Sequence, residues 1–133
     1  MNRTFSVRDA TIYRPYSDEI PWDLLLEADP DEHRVMAYTD PDLIRVAKYD
    51  GVAIGAYVIR PRSDIRTELC TLVVARPYRH AGLGRWLLGH AIGLTETNGG
   101  REIFVAGVPL RGLFARTGFV AVDGGLLFTL TPE

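Results

Sequence analysis

The sequence is short of three things that would each direct it elsewhere: cysteines, a long apolar run and a concentration of positive charge. Its single cysteine, Cys70, excludes an internal disulfide framework and any zinc site built from several thiolates. No apolar stretch approaches the roughly 18 residues of a membrane-crossing helix. Met1–Ala10 also lacks the apolar core of a secretory leader. The expectation is a soluble protein in a reducing, cytoplasmic setting with no membrane partner. Net charge is −2, and no basic stripe of the kind that tracks a phosphate backbone is present, so nucleic acid is not expected as a partner. His33, His80 and His90 form neither a metal-binding nor a triad pattern, and no metal is expected.

What is present is one domain's worth of chain, residues 1–133, with 47% hydrophobic residues to fill a single core. The charge is unevenly divided. Residues 1–64 hold 12 acidic and 8 basic side chains, a balance of −4. Residues 65–133 hold 5 acidic and 7 basic, a balance of +2, and all seven are arginines. That division suits an anionic ligand on one side and a cationic one on the other, or arises from solvated faces alone.

Punctuation along the chain sets out the elements. Thr11–Arg14 reads as a strand, and Ser17 as the N-cap of a helix running to Ala28, stopped by Asp29–Pro30. A second helical piece covers Asp31–Tyr38. Leu43–Tyr49 and Val52–Arg60 are strands joined by Asp50–Gly51, a tight-hairpin signal. Ile65–Val74 is the most β-like run. Leu83, Leu87, Leu88, Ala91, Ile92 and Leu94 then recur at helical spacing, with Asn98–Gly99–Gly100 as the stop. Glu102–Val108 is a strand, Leu110–Thr117 a short helix, and Val120–Val122 with Leu126–Leu130 a final hairpin. This order predicts a mixed α/β fold, with a mostly antiparallel central sheet flanked by helices, and fails the alternation of a dinucleotide-binding fold.

The chemistry concentrates where the strand Leu72, Val73, Val74 runs through Pro77 into Arg79-His80-Ala81-Gly82-Leu83-Gly84-Arg85. Two glycines spaced by one residue allow a ligand to approach the backbone without a Cβ in the way. The unpaired N–H groups of the first helical turn favour an anion there. Arg79 and Arg85 can add charge-assisted bonds to phosphate. The segment reads as a pyrophosphate cradle. Two better-known cradles do not fit. A P-loop needs Gly-Lys-Ser/Thr, where this chain has Gly84-Arg85-Trp86, and the dinucleotide fingerprint needs a third glycine where it has Leu87.

What remains resembles the GNAT superfamily of N-acetyltransferases, whose signature Arg/Gln-x-x-Gly-x-Gly/Ala is matched in full by Arg79–Gly84. The element order is similar to the family's over most of the chain, and Leu113-Phe114-Ala115-Arg116-Thr117-Gly118-Phe119 is similar to its helix-then-Gly-Phe ending. The resemblance implies a GNAT-like fold and acetyl-CoA as acyl donor. The pantetheine arm would lie against the backbone of Leu72, Val73 and Val74, beside a bulge. The diphosphate would rest on Arg79, His80, Ala81, Gly82, Leu83, Gly84 and Arg85. It also implies an acceptor amine on a small molecule or peptide.

A lysine-like amine, with a pKa of about 10.4, is neutral in only about one molecule in a few thousand at neutral pH. A base is therefore valuable, and Glu68 is the catalytic candidate. It interrupts an apolar strand, shares a face by alternation with Cys70, Leu72 and Val74, and resembles the family's glutamate base in its spacing from Arg79. Burial would raise its pKa. The competing reading is a structural glutamate paired with Arg66. Phe114 stands where the family often carries a tyrosine acid, which leaves water to protonate the thiolate. It also keeps open a CoA-binding regulatory or sensor protein with little catalysis. Cys70 is expected to be inert strand core, and His90 to lie on the exposed side of its helix. The hairpin Val120–Leu130 offers a surface for a homodimer.

Overall fold

Asp50 and Gly51 both take positive φ, 51° and 77°, the geometry of a two-residue hairpin turn. They join β2 (Ile44–Tyr49) to β3 (Val52–Pro61). The remaining strands are β1 (Thr11–Tyr13), β4 (Arg66–Val74), β5 (Glu102–Ala106), β6 (Val120–Val122) and β7 (Gly125–Thr129). In this computed structural model, which describes residues 5–130, they form one sheet of order β1-β2-β3-β4-β5-β7-β6. Every pairing is antiparallel except β4 with β5. That parallel step is made by the crossover helix α3 (Leu83–Thr97).

The mixed, mostly antiparallel sheet matches the sequence expectation; two helix starts do not. Ser17–Glu19 is a single 3-10 turn, and α1 (Trp22–Ala28) begins only after Pro21. A proline ring disfavours helical backbone in the residue before it, and Ile20 is accordingly extended at φ −64°, ψ 124°. In α2 (Glu32–Tyr38), the Asp31 carboxylate accepts the Arg34 N–H at 3.1 Å as the cap. The last helix, α4 (Gly112–Thr117), starts two residues later than expected and is closed by Gly118 at φ 115°. Phe119 N–H donates to Phe114 O at 3.0 Å, which satisfies a carbonyl the helix leaves unpaired.

Helices cover both faces of the sheet. Leu83, Leu87, Leu88 and Ala91 of α3 pack with Tyr57, Ile59, Leu69 and Ile103. On the other face Leu25 and Val35, from α1 and α2, pack with Ile44, Val46 and Val58. Side chains such as Leu25 and Leu87 are fully buried, each stabilising by about 1.5–3 kcal/mol. Gly55 sets how closely α3 approaches. A Cβ there would stand 2.8 Å from Leu87 Cδ1 and 3.2 Å from Leu83 Cδ2.

Candidate active site

Beyond β4 the chain makes a 3-10 turn over Arg76–Tyr78 and then two left-handed residues, His80 (φ 66°) and Gly82 (φ 88°). Gly82 is the N-cap of α3, and the first helical bond runs from Trp86 N–H to Gly82 O at 3.1 Å. The N–H groups of Leu83, Gly84 and Arg85 are therefore left without intrahelical partners. The dipole of a 15-residue helix adds to their preference for an anion. His80 and Arg85 are exposed, and Ala81 is half-buried. Arg79 Nε donates to Val74 O at 2.9 Å, tying the loop back to the strand end. A Cβ on Gly84 would stand 3.6 Å from Leu113 Cδ2 and 3.8 Å from Val74 Cγ2, on the wall of the adjoining gap.

That gap exists because β4 and β5 pair at only three positions: Arg66 with Glu102, Thr67 with Ile103 and Glu68 with Phe104. Past Glu68 the strands part around a cavity of about 470 Å³. Its walls include Glu68, Cys70, Leu72 and Val74 on β4, and Leu113 and Phe114 on α4. Antiparallel pairs alternate between hydrogen-bonded and non-hydrogen-bonded. Ala75 N–H donates to Ile54 O at 2.8 Å, so in this register the bonded pair next along the strand is Val73 with Ala56. The backbone groups of Val73 thus turn toward β3, and its side chain is core. Those of Leu72 and Val74 turn toward the gap.

A bulge divides β4. Val58 pairs with Thr71 but Ile59 with Leu69, leaving Cys70 as the extra residue. The simple alternation expected from Glu68 through Val74 fails for this reason. Leu72 and Val74 pack with the cluster under α3, whereas Cys70 packs with the cluster under α1 and α2. Glu68 pairs with Arg60 across the sheet, beyond the bulge. An inserted residue re-aims the side chains that follow it. The gap therefore passes from the cradle, on the α3 side, to Glu68 and Cys70, on the α1/α2 side.

Glu68 is 23% exposed and accepts a bond from Arg62 Nε at 2.8 Å. Its partner is Arg62, not Arg66. Arg66 is held by Glu102 at 2.9 Å, over the Phe104 ring. The Glu68 carboxylate consequently faces a guanidinium rather than an apolar pocket. Burial, reinforced by the Glu68 charge, pushes the Cys70 thiol up to about 11. Phe114 packs edge-on against Phe119 at 5.2 Å and carries no proton to the gap. Nothing in the sequence marked Arg62, because its approach to Glu68 depends on the β3–β4 register.

Flanking this end, Asp29 accepts two bonds from Arg34, at 2.8 and 2.6 Å, and one from Tyr38 Oη at 3.1 Å. The Arg34 bond holds the Asp29 carboxyl down at about 2, while burial and then the Asp29 charge push Tyr38 up to about 12. His90 is half-buried rather than exposed, 2.6 Å from the buried Tyr57 hydroxyl through Nδ1. Desolvation lowers its pKa. Among the described residues, no group of three or more His, Cys, Asp or Glu is placed to hold a metal ion, and no helix is long and apolar enough to cross a membrane.

Comparison with known proteins places this geometry. Residues 5–119 match the family model described as the acetyltransferase (GNAT) family. A GNAT family acetyltransferase from Elizabethkingia anophelis, solved with acetyl-CoA bound, is similar at 27% identity with a TM-score of 0.77, over 86% of this chain and 78% of that one. An IAA acetyltransferase from Bacillus cereus is similar at 30% identity with a TM-score of 0.74, over 84% and 77%. The ribosomal-protein-S18-alanine N-acetyltransferase of Escherichia coli shares the fold at 19% identity with a TM-score of 0.72, over 91% and 92%. No curated protein sequence matches the chain.

Proposed function

Since the chain belongs to the GNAT acetyltransferase family, we propose that it moves the acetyl group of acetyl-CoA directly to the primary amine of an acceptor. The observation that carries this reading is the continuity of the gap. It runs from Gly84 at the start of α3, past the backbone of Val74 and Leu72 on β4, to a carboxylate at Glu68. The cradle suits the diphosphate through Arg79, His80, Ala81, Gly82, Leu83, Gly84 and Arg85. The strand edge suits the amide groups of the pantetheine arm. The cavity is open at the cradle and has space beside Gly84, so the residues present fit the group.

Glu68 then accepts the proton that the acceptor ammonium must lose. The free amine attacks the thioester carbonyl carbon, whose oxygen is polarised by the backbone N–H that Leu72 turns into the gap. As the C–S bond breaks and the amide forms, the proton that the nitrogen still has to lose passes through water to the CoA thiolate, because Phe114 has none to give. A thiol with a pKa of about 8.5 leaves readily without a stronger acid. Transfer through Cys70 is disfavoured. Its thiol is held protonated, and its Sγ hydrogen bond goes to Glu68 O at 3.9 Å.

The competing reading, a CoA-binding sensor with little catalysis, is favoured by Phe114 alone. The deciding experiment incubates the protein with acetyl-CoA and an amine panel, following thiol release and the mass of the acetylated amine. Product with catalytic turnover supports the transferase. A thermal shift by CoA without product supports the sensor, and neither response sinks both. The reading also takes residues 1–133 as one domain, acting where thiols stay reduced, in the cytoplasm. Exposed Val120 and Val122 on the edge strand β6 favour pairing with a second copy, which sedimentation measures.

A further inference from the structure

We propose that the acceptor is an amine that also carries a carboxylate, an amino-acid-like zwitterion taken by Glu68 at its ammonium and by Arg62 and Arg60 at its anionic end. The inference rests on the acetyltransferase reading and names the substrate class for the same site.

The reasoning starts from charge at the α1/α2 end of the gap. Arg60 is the strand partner of Glu68, so the two side chains leave the same face of the sheet about 5 Å apart at Cβ. Arg62 reaches the same carboxylate at 2.8 Å. Arg60 Nη1 donates to Ala37 O at 2.9 Å, which holds it at the end of α2. The nearby Asp29 and Arg34 are already paired with each other. The gap therefore ends on one carboxylate, with two exposed guanidinium groups on the same side just outside its walls.

A simple cationic amine is poorly served there. Arg62 holds Glu68 Oε1, so the amine either sets its positive charge beside that guanidinium and Arg60 or takes its place and leaves it unpaired. A zwitterion exchanges one ion pair for two. Its ammonium takes Glu68 while its carboxylate takes the released guanidinium, whose fork matches a carboxylate in both spacing and plane. The same exchange frees Glu68 from Arg62 at the moment it is needed as a base. Discrimination against the decarboxylated analogue then comes from a positive charge left without a partner.

The test compares matched pairs: phenylalanine with phenethylamine, serine with ethanolamine, and methionine with 3-(methylthio)propylamine. Steady-state kinetics with acetyl-CoA are run beside calorimetric titration of each ligand into protein saturated with CoA. The expected result is a preference of at least about tenfold for the carboxylated member of a pair, in kcat/KM and in Kd. In Arg62→Gln and Arg60→Gln the preference shrinks toward one, chiefly through KM, and Arg62→Lys restores part of it. Circular dichroism melts confirm folding, and two independent positions keep the test sound if one variant fails to fold. Equal use of both members, or a preference unchanged in both arginine variants, overturns the proposal while leaving acetyl transfer standing. Selective binding of amino acids without turnover does the reverse, and the absence of both binding and turnover overturns the two together.

Discussion

At the α3 end of the gap, the groups that would meet the proposed donor are backbone N–H groups from one contiguous stretch, Arg79–Arg85. At the Glu68 end they are side chains drawn from β3, β4 and the α1/α2 layer. The first region depends on conformation, with left-handed backbone at His80 and Gly82. The second depends on charge, with Glu68 set against Arg62 and Arg60. A backbone cradle serves any ligand with the right phosphate, so in the proposed reaction it would fix the donor. A side-chain pocket can change residue by residue, so it would select the acceptor. Substitutions should divide along the same line, with cradle changes acting on CoA affinity and changes at the far end acting on turnover and acceptor choice.

The largest effect is expected at Glu68. If it is the base, Glu68→Gln keeps CoA affinity and folding but lowers kcat by roughly 10²–10⁴-fold at neutral pH. The deficit should shrink as pH rises toward the pKa of the acceptor amine, where free amine no longer needs help. Kinetics of both proteins across that range decide the matter. A raised KM with unchanged kcat would make Glu68 a positioning residue, and a flat ratio near one would remove it from the reaction.

Next comes the cradle. Gly84→Val should weaken CoA binding by about 10–100-fold, some 1.4–2.8 kcal/mol. Its branched side chain would enter the gap between Leu113 and Val74. Gly82 behaves differently. A Cβ there meets nothing within 4 Å, but φ is +88°, so Gly82→Val strains the backbone by about 1–3 kcal/mol. Calorimetric titration beside thermal melts separates the two: Gly84→Val should lose affinity with little change in Tm, and Gly82→Val should lose both. Undiminished affinity in folded Gly84→Val would place the diphosphate elsewhere.

The same contrast explains what could be read from the residues alone. Arg79–Gly84 was legible because six adjacent residues carry both the turn and the helix start. The hairpin at Asp50–Gly51 and the stop at Gly118 were legible for the same local reason. The bulge at Cys70 was not, because it exists only as a mismatch between β3 and β4, and it carries Glu68 and Cys70 to a different face from Leu72 and Val74. Arg62 was missed for the same cause, and Arg66, nearer in sequence, was drawn away by Glu102. Even the false start of α1 at Ser17 was a local conflict, resolved by Pro21 in favour of extended backbone at Ile20.

A smaller effect concerns the frame of the acceptor end. Asp29 has its carboxyl held at about 2, below the ordinary 3.8. A depressed carboxyl stabilises the folded protein above the unfolded-state pKa and loses that contribution as pH falls toward the folded one. The loss should therefore fall between about pH 4 and pH 2. Its size is about 1–2 kcal/mol, reduced from the full shift because Arg34 stands in solvent. Asp29→Asn should lower Tm at neutral pH and flatten its fall across that window. An unchanged acid profile would mean that the α1–α2 pair is held by packing of Leu25 and Val35 instead.

The smallest effect is expected at Phe114, which lines the gap from α4 while packing on the core residue Phe119. Water protonation of the thiolate predicts that Phe114→Tyr changes kcat by no more than about threefold, because a leaving thiol of pKa about 8.5 gains little from an added acid. Thermal melts of Phe114→Tyr check that the packing on Phe119 tolerates the added hydroxyl. CoA affinity should likewise hold, because the open strand edge lies across the gap on β4. A rise of tenfold or more in kcat would show that the missing donor limits the reaction, and would strengthen the sensor reading for the parent chain. A comparable fall with normal CoA affinity would mean that the apolar ring shapes the acceptor end, moving Phe114 from the donor's side of the comparison to the acceptor's. Single-turnover rates with acetyl-CoA and a saturating amine read this step without interference from product release.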